Sequence, residues 1–408
     1  MNVALGWREP SDSSGKEVDM ARRVFVIVLD SFGVGHAPDA DKFGDEGANT
    51  LKTIYGSSEY HTPNMEALGL LNIDGIDYAD KVELPIGSYG RMQEVSQGKD
   101  TTIGHWEIAG IISEKPLPTY PDGFPEEIIE KLKAATGRGI LCNKPYSGTA
   151  VINDYGDEHV RTGDLIVYTS ADSVLQIAAH EDVVSVETLY KYCEMAREIM
   201  QGVHGVGRII ARPFTGSSGS YERTAARHDY SLVPPADTMM DVLVRNGFDT
   251  LGVGKIYDIF AGKNIQRTVR ITDNVDGMRQ TLKFQREEFE GLCFVNLVDF
   301  DMKYGHRRAI DDYAFASTVF DGLLGTFMDN MREEDILFIT ADHGCDPGYS
   351  GTDHTREMVP VLVYGRDIKE GVNLGTRGSF ADVAATIEEI FGLEVTTQGS
   401  SFAKDILK

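Results

Sequence analysis

One stretch of the chain decides the fold: residues 336–344, ILFITADHG, in which an apolar run ends in Asp342 and His343. A parallel α/β sheet presents polar side chains at the carboxyl ends of its buried strands, and carboxylates and imidazoles there are typical metal ligands. Another imidazole, that of His354, follows after a short loop. The stretch therefore predicts an α/β metalloenzyme.

Two further apolar runs are followed by the same types of residue. Residues 24–29, VFVIVL, precede Asp30, and residues 294–298, FVNLV, precede Asp299, Asp301 and His306. Each acid taken alone could serve only as the N-cap of a following helix. Three such strand ends with three loop histidines favour a metal site, and six ligands are enough for two divalent ions. The candidate ligands are Asp30, Asp301, His306, Asp342, His343 and His354.

A candidate nucleophile lies in residues 98–107, GKDTTIGHWE. A metal can deprotonate a hydroxyl at the turn into a helix, where backbone N–H groups meet an incoming phosphate. The segment is not a Walker P-loop, because Asp100 follows the lysine and no glycine precedes it at the required spacing. On helix propensity alone, Asp100 or Thr101 could simply cap the helix.

Composition limits the possible partners. The chain has 408 residues and a formal net charge of -25, so phosphate backbones and anionic membrane surfaces would repel it. Its four cysteines form no C-x-x-C pair, which favours a reduced cytoplasm. Residues 1–19 lack the order of a signal peptide, and we expect a poorly ordered extension without assigned function.

Strands and helices alternate towards both ends of the chain. Apolar runs predict strands at 292–298, 335–340 and 360–364, and helical spacing predicts helices at 309–331 and 381–391. This alternation predicts a doubly wound, mainly parallel α/β sheet.

The middle of the chain differs from both ends. Residues 115–235 are rich in proline near both boundaries, contain a Gly/Ser segment, and include none of the six candidate ligands. We therefore expect an inserted, smaller α/β cap domain between two core segments, 20–114 and 236–408, with a proline-bearing linker at each junction.

Three arginines of the expected cap lie close together in an acidic chain: Arg208, Arg223 and Arg227. Guanidinium groups bind phosphate in a two-pronged manner, which indicates a phosphate-binding surface. A single arginine would more simply form a surface ion pair.

Taken together, these segments resemble the phosphopentomutase family of the alkaline phosphatase superfamily. The resemblance extends from about residue 20 to the C-terminus. The superfamily motifs are shared with phosphatases and cofactor-independent phosphoglycerate mutases, and residues 98–107 and 208–214 narrow the match. The matching segments are residues 30–35, 98–107, 170–174, 208–214, 227–230, 301–307, 342–344 and 351–356.

The resemblance implies a role for each site residue. It implies that Thr101, rather than Thr102, carries a phosphoryl group, and that Asp301, rather than Asp299, is a ligand. It implies one metal, typically manganese, held by Asp30, Asp342 and His343, and a second held by Asp301, His306 and His354. It places the sugar phosphate among Ser170, Asp172, Val174, Arg208, Ile210 and Lys255, and we add Arg223 and Arg227.

The implied function is the interconversion of α-D-ribose 1-phosphate, or its 2-deoxy analogue, and the 5-phosphate. The family works through a phosphothreonine and a 1,5-bisphosphate, and it is started by a primer such as glucose 1,6-bisphosphate. We expect no nucleic acid, membrane or obligatory protein partner. The alternatives are a metal-dependent phosphomonoesterase, another phosphosugar mutase of the superfamily, and a non-enzymatic metal-binding or carbohydrate-binding module.

Overall fold

The computed structural model of the chain describes residues 23–170 and 172–408. The predicted extension, residues 1–19, lies outside these ranges. The described strands are β1 (Arg23–Leu29), β2 (Ser88–Met92), β3 (Ile140–Pro145), β4 (Leu165–Thr169), β5 (Val174–His180), β6 (Arg208–Thr215), β7 (Glu222–Arg223), β8 (His228–Ser231), β9 (Asp249–Val253), β10 (Arg267–Val269), β11 (Gly291–Leu297), β12 (Asp335–Thr340), β13 (Val359–Gly365) and β14 (Asn373–Arg377).

Most helices lie between these strands, and two follow β14. A π-helical turn, Phe300–Gly305, follows β11. Within the described ranges, no helix is long and apolar enough to cross a bilayer. The α-helices are α1 (Thr50–Tyr55), α2 (Pro63–Leu68), α3 (Thr101–Ile108), α4 (Glu126–Thr136), α5 (Ala150–Thr162), α6 (Val186–Ile199), α7 (Met239–Arg245), α8 (Ile256–Ile259), α9 (Asn274–Arg286), α10 (Ile310–Asp329), α11 (Asp382–Ile390) and α12 (Ala403–Ile406).

The larger sheet has eight strands in the order β10-β9-β11-β1-β12-β13-β2-β14. Every strand runs parallel to the others except β13, which pairs antiparallel with both neighbours. The central strands β1, β11 and β12 are buried along their whole length, as continuous apolar runs covered by helices on both faces should be. The predicted mainly parallel α/β fold is confirmed, as are the strands predicted from the three apolar runs.

The register of the central strands brings their carboxyl ends together. Leu29 of β1 pairs with Leu297 of β11, and Val28 pairs with Thr340 of β12. The residues that follow the three strands therefore emerge side by side at one edge of the sheet. This edge holds the candidate metal ligands.

A second, six-stranded sheet is formed by residues between 140 and 231. Its order is β3-β4-β5-β6-β7, with β8 also paired to β6, and its strands are mixed in direction. Its buried apolar side chains form two clusters of their own, drawn from residues 124–221. The sheet lies within the segment expected to form the cap, and the exact domain boundaries at 115 and 235 stay a prediction.

Candidate metal centre and active site

Each candidate ligand is positioned by the end of a central strand or by a loop beside it. Asp30 follows β1, Asp342 and His343 follow β12, and Asp301 lies in the π-helical turn after β11. His306 caps that turn, and His354 lies in the segment that leads into β13. Six residues from separate segments of the chain thus meet at one edge.

The first trio of ligands comprises Asp30, Asp342 and His343, and all three are buried. The Nε2 atom of His343 lies 3.4 Å from Asp30 Oδ1 and 3.3 Å from Asp342 Oδ2. Three such ligand atoms within 4.8 Å of one another can hold a divalent metal ion.

The second trio comprises Asp301, His306 and His354. The two carboxylate oxygens of Asp301 lie 3.3 Å from His306 Nε2 and 3.2 Å from His354 Nε2, and these two nitrogens are 3.2 Å apart. The rings of His343 and His354 stack with centroids 3.8 Å apart, so the two trios are adjacent. Both predicted ligand sets are therefore brought together.

Backbone carbonyls fix the orientation of all three imidazoles. The Nδ1 atoms of His306, His343 and His354 lie 2.6, 3.0 and 2.8 Å from the carbonyl oxygens of Thr352, Gly344 and Lys99. An Nδ1–H that donates to a carbonyl leaves Nε2 as the free lone pair, which is the tautomer a metal ligand needs.

The chemistry of the two trios fits divalent cations. The carboxylate oxygens Asp30 Oδ1, Asp301 Oδ1 and Asp342 Oδ2 are buried and lie 3.4, 3.2 and 3.1 Å from imidazole nitrogens. Buried carboxylates this close together are costly unless a proton or a cation compensates them. The donor set of carboxylate and imidazole suits zinc, iron and manganese.

Burial and neighbouring charges shift the pKa values of these groups in different directions. Burial, with repulsion from Asp342 and Asp301, raises the pKa of Asp30 to about 8. Burial lowers the pKa of His343 to about 4, so this imidazole is neutral at pH 7. Burial also disfavours the charged form of His354, but the Asp301 carboxylate outweighs it and raises the His354 pKa to about 10. A bound cation would displace the proton shared by Asp301 and His354.

Thr101 is the first residue of α3, and its hydroxyl faces the first trio. Its Oγ1 lies 3.2 Å from His343 Nε2. Asp100 caps the helix by accepting hydrogen bonds from the backbone N–H groups of Thr102 and Ile103. Among the described residues, no candidate ligand makes a hydrogen bond with the Thr102 hydroxyl. The geometry thus places Thr101, not Thr102, beside the ligands.

Two buried residues connect Thr101 to the ligands. His105 Nδ1 lies 2.8 Å from the Thr101 carbonyl oxygen and 3.1 Å from Asp342 Oδ2. Its Nε2 lies 3.2 Å from the amide nitrogen of Asn296, which also donates to Asp30 Oδ2 at 2.8 Å. Sequence reasoning missed Asn296, although a single polar residue within the apolar run of β11 is a usable signal.

Helix α3 approaches the first trio as closely as its sequence allows. A Cβ atom added at Gly104 would lie 2.1 Å from the carbonyl oxygen of Asp342 and 3.0 Å from its Cβ. Only glycine permits this contact. The distance between Thr101 and the ligands therefore depends on Gly104.

A cavity of about 400 Å³ opens in the second sheet. All seven residues predicted there as substrate-binding line it, together with Arg212, Gln176 and Tyr146, which sequence reasoning missed. The seven are Ser170, Asp172, Val174, Arg208, Ile210, Arg223 and Arg227.

The arginines of this cavity are partly compensated by acids. Arg227 binds Asp229 with two hydrogen bonds of 2.7 Å, and Arg208 lies 3.6 Å from Asp229 and 3.8 Å from Asp172. Burial disfavours the charged form of Asp229, but Arg227 and its neighbours outweigh it and lower the Asp229 pKa. Four arginines facing two acids leave this cavity positively charged in an otherwise acidic chain.

Lys255, the remaining predicted substrate residue, does not line the cavity of the second sheet. It caps α8 at the carboxyl edge of the larger sheet, where its charge favours the ionised form of Asp30. Helix α8 packs against β8, and the charge of Arg208 favours the ionised form of Asp100. The arginine cavity and the metal centre therefore lie within electrostatic reach of each other.

Comparisons with known proteins show which family the chain belongs to. The model of the Metalloenzyme superfamily matches residues 22–395. The phosphopentomutase of Lachnoclostridium phytofermentans is 58% identical over 388 residues, covering 95% of this chain and 100% of the relative. The phosphopentomutase of Clostridium novyi is 55% identical over 393 residues, with the same coverage. The chain belongs to the phosphopentomutase family.

Phosphopentomutase membership confirms the resemblance found in the sequence and makes this chain an isomerase. The metalloenzyme match and the groups of converging carboxylates and imidazoles make it dependent on divalent metal. Among solved structures, the PH0037 protein from Pyrococcus horikoshii has a TM-score of 0.49 at 15% identity, over 93% of this chain and all of that chain. Leishmania mexicana phosphoglycerate mutase has a TM-score of 0.46 at 12% identity, over 94% of this chain and 98% of that chain.

Proposed function

We propose that this chain interconverts the 1-phosphate and 5-phosphate of ribose or 2-deoxyribose, with Thr101 as the phosphoryl carrier. The observation that supports this best is the 3.2 Å distance between Thr101 Oγ1 and His343 Nε2, beside both ligand trios. The name of the relatives supplies the pentose phosphate substrate class. The arginine cavity supplies a second place for a phosphate.

We assign the two trios to two divalent ions, which we propose are manganese. When bound, such ions neutralise the charge of a transferring phosphoryl group and lower the pKa of a nearby hydroxyl. The chain's own contribution is to hold the Thr101 hydroxyl at the start of α3, where the positive end of the helix dipole favours an incoming phosphate.

The reaction proceeds in two balanced transfers. Phosphothreonine 101 first passes its phosphoryl group to the free hydroxyl of a pentose 1- or 5-phosphate: the bond between phosphorus and Thr101 oxygen breaks, the bond to the sugar oxygen forms, and the proton of the sugar hydroxyl passes to Thr101 oxygen. The sugar 1,5-bisphosphate then turns over in the site. The other phosphoryl group returns to Thr101 oxygen, the Thr101 proton passes to the sugar oxygen that loses phosphorus, and the isomeric monophosphate is released.

The cavity of the second sheet keeps the bisphosphate from escaping during this turn. Arg208, Arg223 and Arg227 hold the phosphate that is not reacting, and Asp172 accepts sugar hydroxyls. If the bisphosphate leaks, Thr101 is left without its phosphoryl group. A sugar bisphosphate such as glucose 1,6-bisphosphate then restores it, and we assign the enzyme to the cytoplasm, where such phosphosugars occur.

One assay separates this function from its alternatives. Ribose 5-phosphate is incubated with enzyme, manganese and glucose 1,6-bisphosphate, and ribose 1-phosphate and free phosphate are measured together. We expect ribose 1-phosphate to form much faster than free phosphate. Free phosphate as the main product would identify a phosphomonoesterase, and no turnover would favour a binding module.

A further inference from the structure

Arg356 is fully buried, and all five of its N–H donors are used. Its Nε and Nη2 donate to the two carboxylate oxygens of Asp39 at 3.2 and 3.1 Å. Its Nη1 and Nη2 donate to Glu94 Oε2 at 2.5 Å and to the Glu94 carbonyl oxygen at 2.7 Å. The fifth bond runs from Nη1 to the carbonyl oxygen of Gly98 at 2.8 Å. A planar guanidinium satisfied in this way has one orientation.

The bond to Gly98 matters because residues 98–100 lead directly into α3. The next carbonyl oxygen along the chain, that of Lys99, faces Nδ1 of His354 at 2.8 Å. His354 and Arg356 are alternate residues of an extended segment and therefore point to the same side. The carbonyl groups of Gly98 and Lys99, shortly before Thr101, are thus held by the side chains of Arg356 and His354.

We propose that Arg356 is a positioning residue for phosphoryl transfer, which fixes Thr101 relative to the ligand trios by holding the carbonyl of Gly98. The proposal rests on the proposed role of Thr101 as phosphoryl carrier. Arg356 contacts neither trio through its guanidinium, so it acts only through the segment that leads into α3.

Lysine cannot replace this arginine. Its ammonium keeps the positive charge beside Glu94, but a single nitrogen cannot span Asp39, Glu94 and Gly98 in the plane of a guanidinium. Removing the charge entirely would leave Glu94 buried without a counter-ion, and its pKa is already raised by burial. Arg356→Lys is therefore the test variant, and the neutral pair Arg356→Met with Glu94→Gln is the reserve.

The chain offers a matched control in Arg23. It is also fully buried and binds the two carboxylate oxygens of Asp335 at 2.7 Å, with two further bonds to backbone carbonyls. It begins β1, at the edge of the sheet opposite to Asp30. Arg23→Lys therefore disrupts a buried arginine network that does not include the segment before Thr101.

The experiment compares purified Arg356→Lys and Arg23→Lys with the parent. Steady-state kcat and KM are measured with ribose 5-phosphate, and the single-turnover rate of Thr101 phosphorylation is measured with glucose 1,6-bisphosphate. Melting temperature and manganese content are measured on the same preparations. In Arg356→Lys we expect kcat and the phosphorylation rate to fall roughly ten- to a hundredfold, with KM within about threefold and both ions retained.

In Arg23→Lys we expect kcat within about threefold of the parent, with a lower melting temperature. Equal losses of kcat in the two variants would overturn the proposal, as would a raised KM at unchanged kcat or the loss of one ion in Arg356→Lys. If Arg356→Lys does not fold, parent-like phosphorylation of Thr101 in the reserve variant would overturn it, and slowed phosphorylation would support it. A parent that forms isomer without phosphothreonine would refute the proposed role of Thr101, and the proposal with it.

Discussion

Replacing Gly104 by alanine tests how strictly the site depends on the packing of α3. The added Cβ would lie 2.1 Å from the Asp342 carbonyl oxygen, and ordinary contact begins at 3.4 Å. The helix and the Asp342 backbone must therefore separate by about 1.3 Å. Because that carbonyl belongs to the backbone of a candidate ligand, we expect the added methyl group to move Thr101 relative to the first trio.

A displacement of about 1 Å can cost roughly a hundredfold in rate, or about 2.7 kcal/mol of transition-state stabilisation. Overpacking should destabilise the fold by about 1–3 kcal/mol, partly offset by the gain of up to about 1 kcal/mol for alanine over glycine in a helix. We therefore expect a folded enzyme with a strongly reduced kcat.

The matched control is Gly322→Ala in α10, where an added Cβ meets no heavy atom within 4 Å. Both variants are assayed for kcat, for phosphothreonine formation and for urea unfolding. We expect the control to keep the parent's kcat and to gain slightly in stability. A Gly104→Ala enzyme that turns over at the parent's rate would refute the argument that α3 packing sets the position of Thr101.

The remaining predictions concern metal, pH and the arginine cavity. Asp301→Asn should lose activity and retain about one ion per chain after dialysis, by elemental analysis, and two tightly held ions would contradict the assignment. Burial raises the pKa of Glu357 from 4.5 to about 7, so the folded state binds this proton more tightly than the unfolded state. Stability of the metal-free protein should therefore fall by about 3 kcal/mol as pH rises from 4.5 to 7, and urea unfolding of Glu357→Gln should lack that part of the fall. If the free energy of unfolding depends on pH equally in parent and variant, the predicted contribution of Glu357 is wrong. Arg208→Ala should raise the concentration of bisphosphate primer needed for half-maximal rate. The expected loss is roughly 1.5–3 kcal/mol of binding free energy, or ten- to over a hundredfold in apparent affinity. An unchanged primer requirement would show that the cavity holds phosphate without Arg208.

The sequence predicted the strand ends of the site because their signal is local. The apolar runs before Asp30, Asp301 and Asp342 are continuous, and parallel strands in register must bring the acids after them to one edge. The antiparallel direction of β13 could not be predicted, since its apolar run is the same in either direction.

Contacts between residues far apart in sequence could not be predicted from the sequence. Arg212 and Gln176 are 36 positions apart and meet because β5 and β6 pair in parallel, which leaves a 3.0 Å hydrogen bond between their side chains. Nothing in the residues around Arg356 indicates that it is buried rather than exposed. Asn296 interrupts an apolar strand, but its contacts with Asp30 and His105 exist only in the folded sheet.

The most direct test of the central claim is to locate the phosphate on the enzyme. Parent, Thr101→Ala and Thr102→Ala proteins are incubated with manganese and glucose 1,6-bisphosphate, and intact mass and phosphopeptides are measured before and after ribose 5-phosphate is added. We expect one phosphoryl group on Thr101 in the parent and in Thr102→Ala, none in Thr101→Ala, and exchange of that group with the added pentose phosphate. Phosphate mapped to Thr102, or a parent that forms ribose 1-phosphate while never carrying phosphate on Thr101, would contradict it.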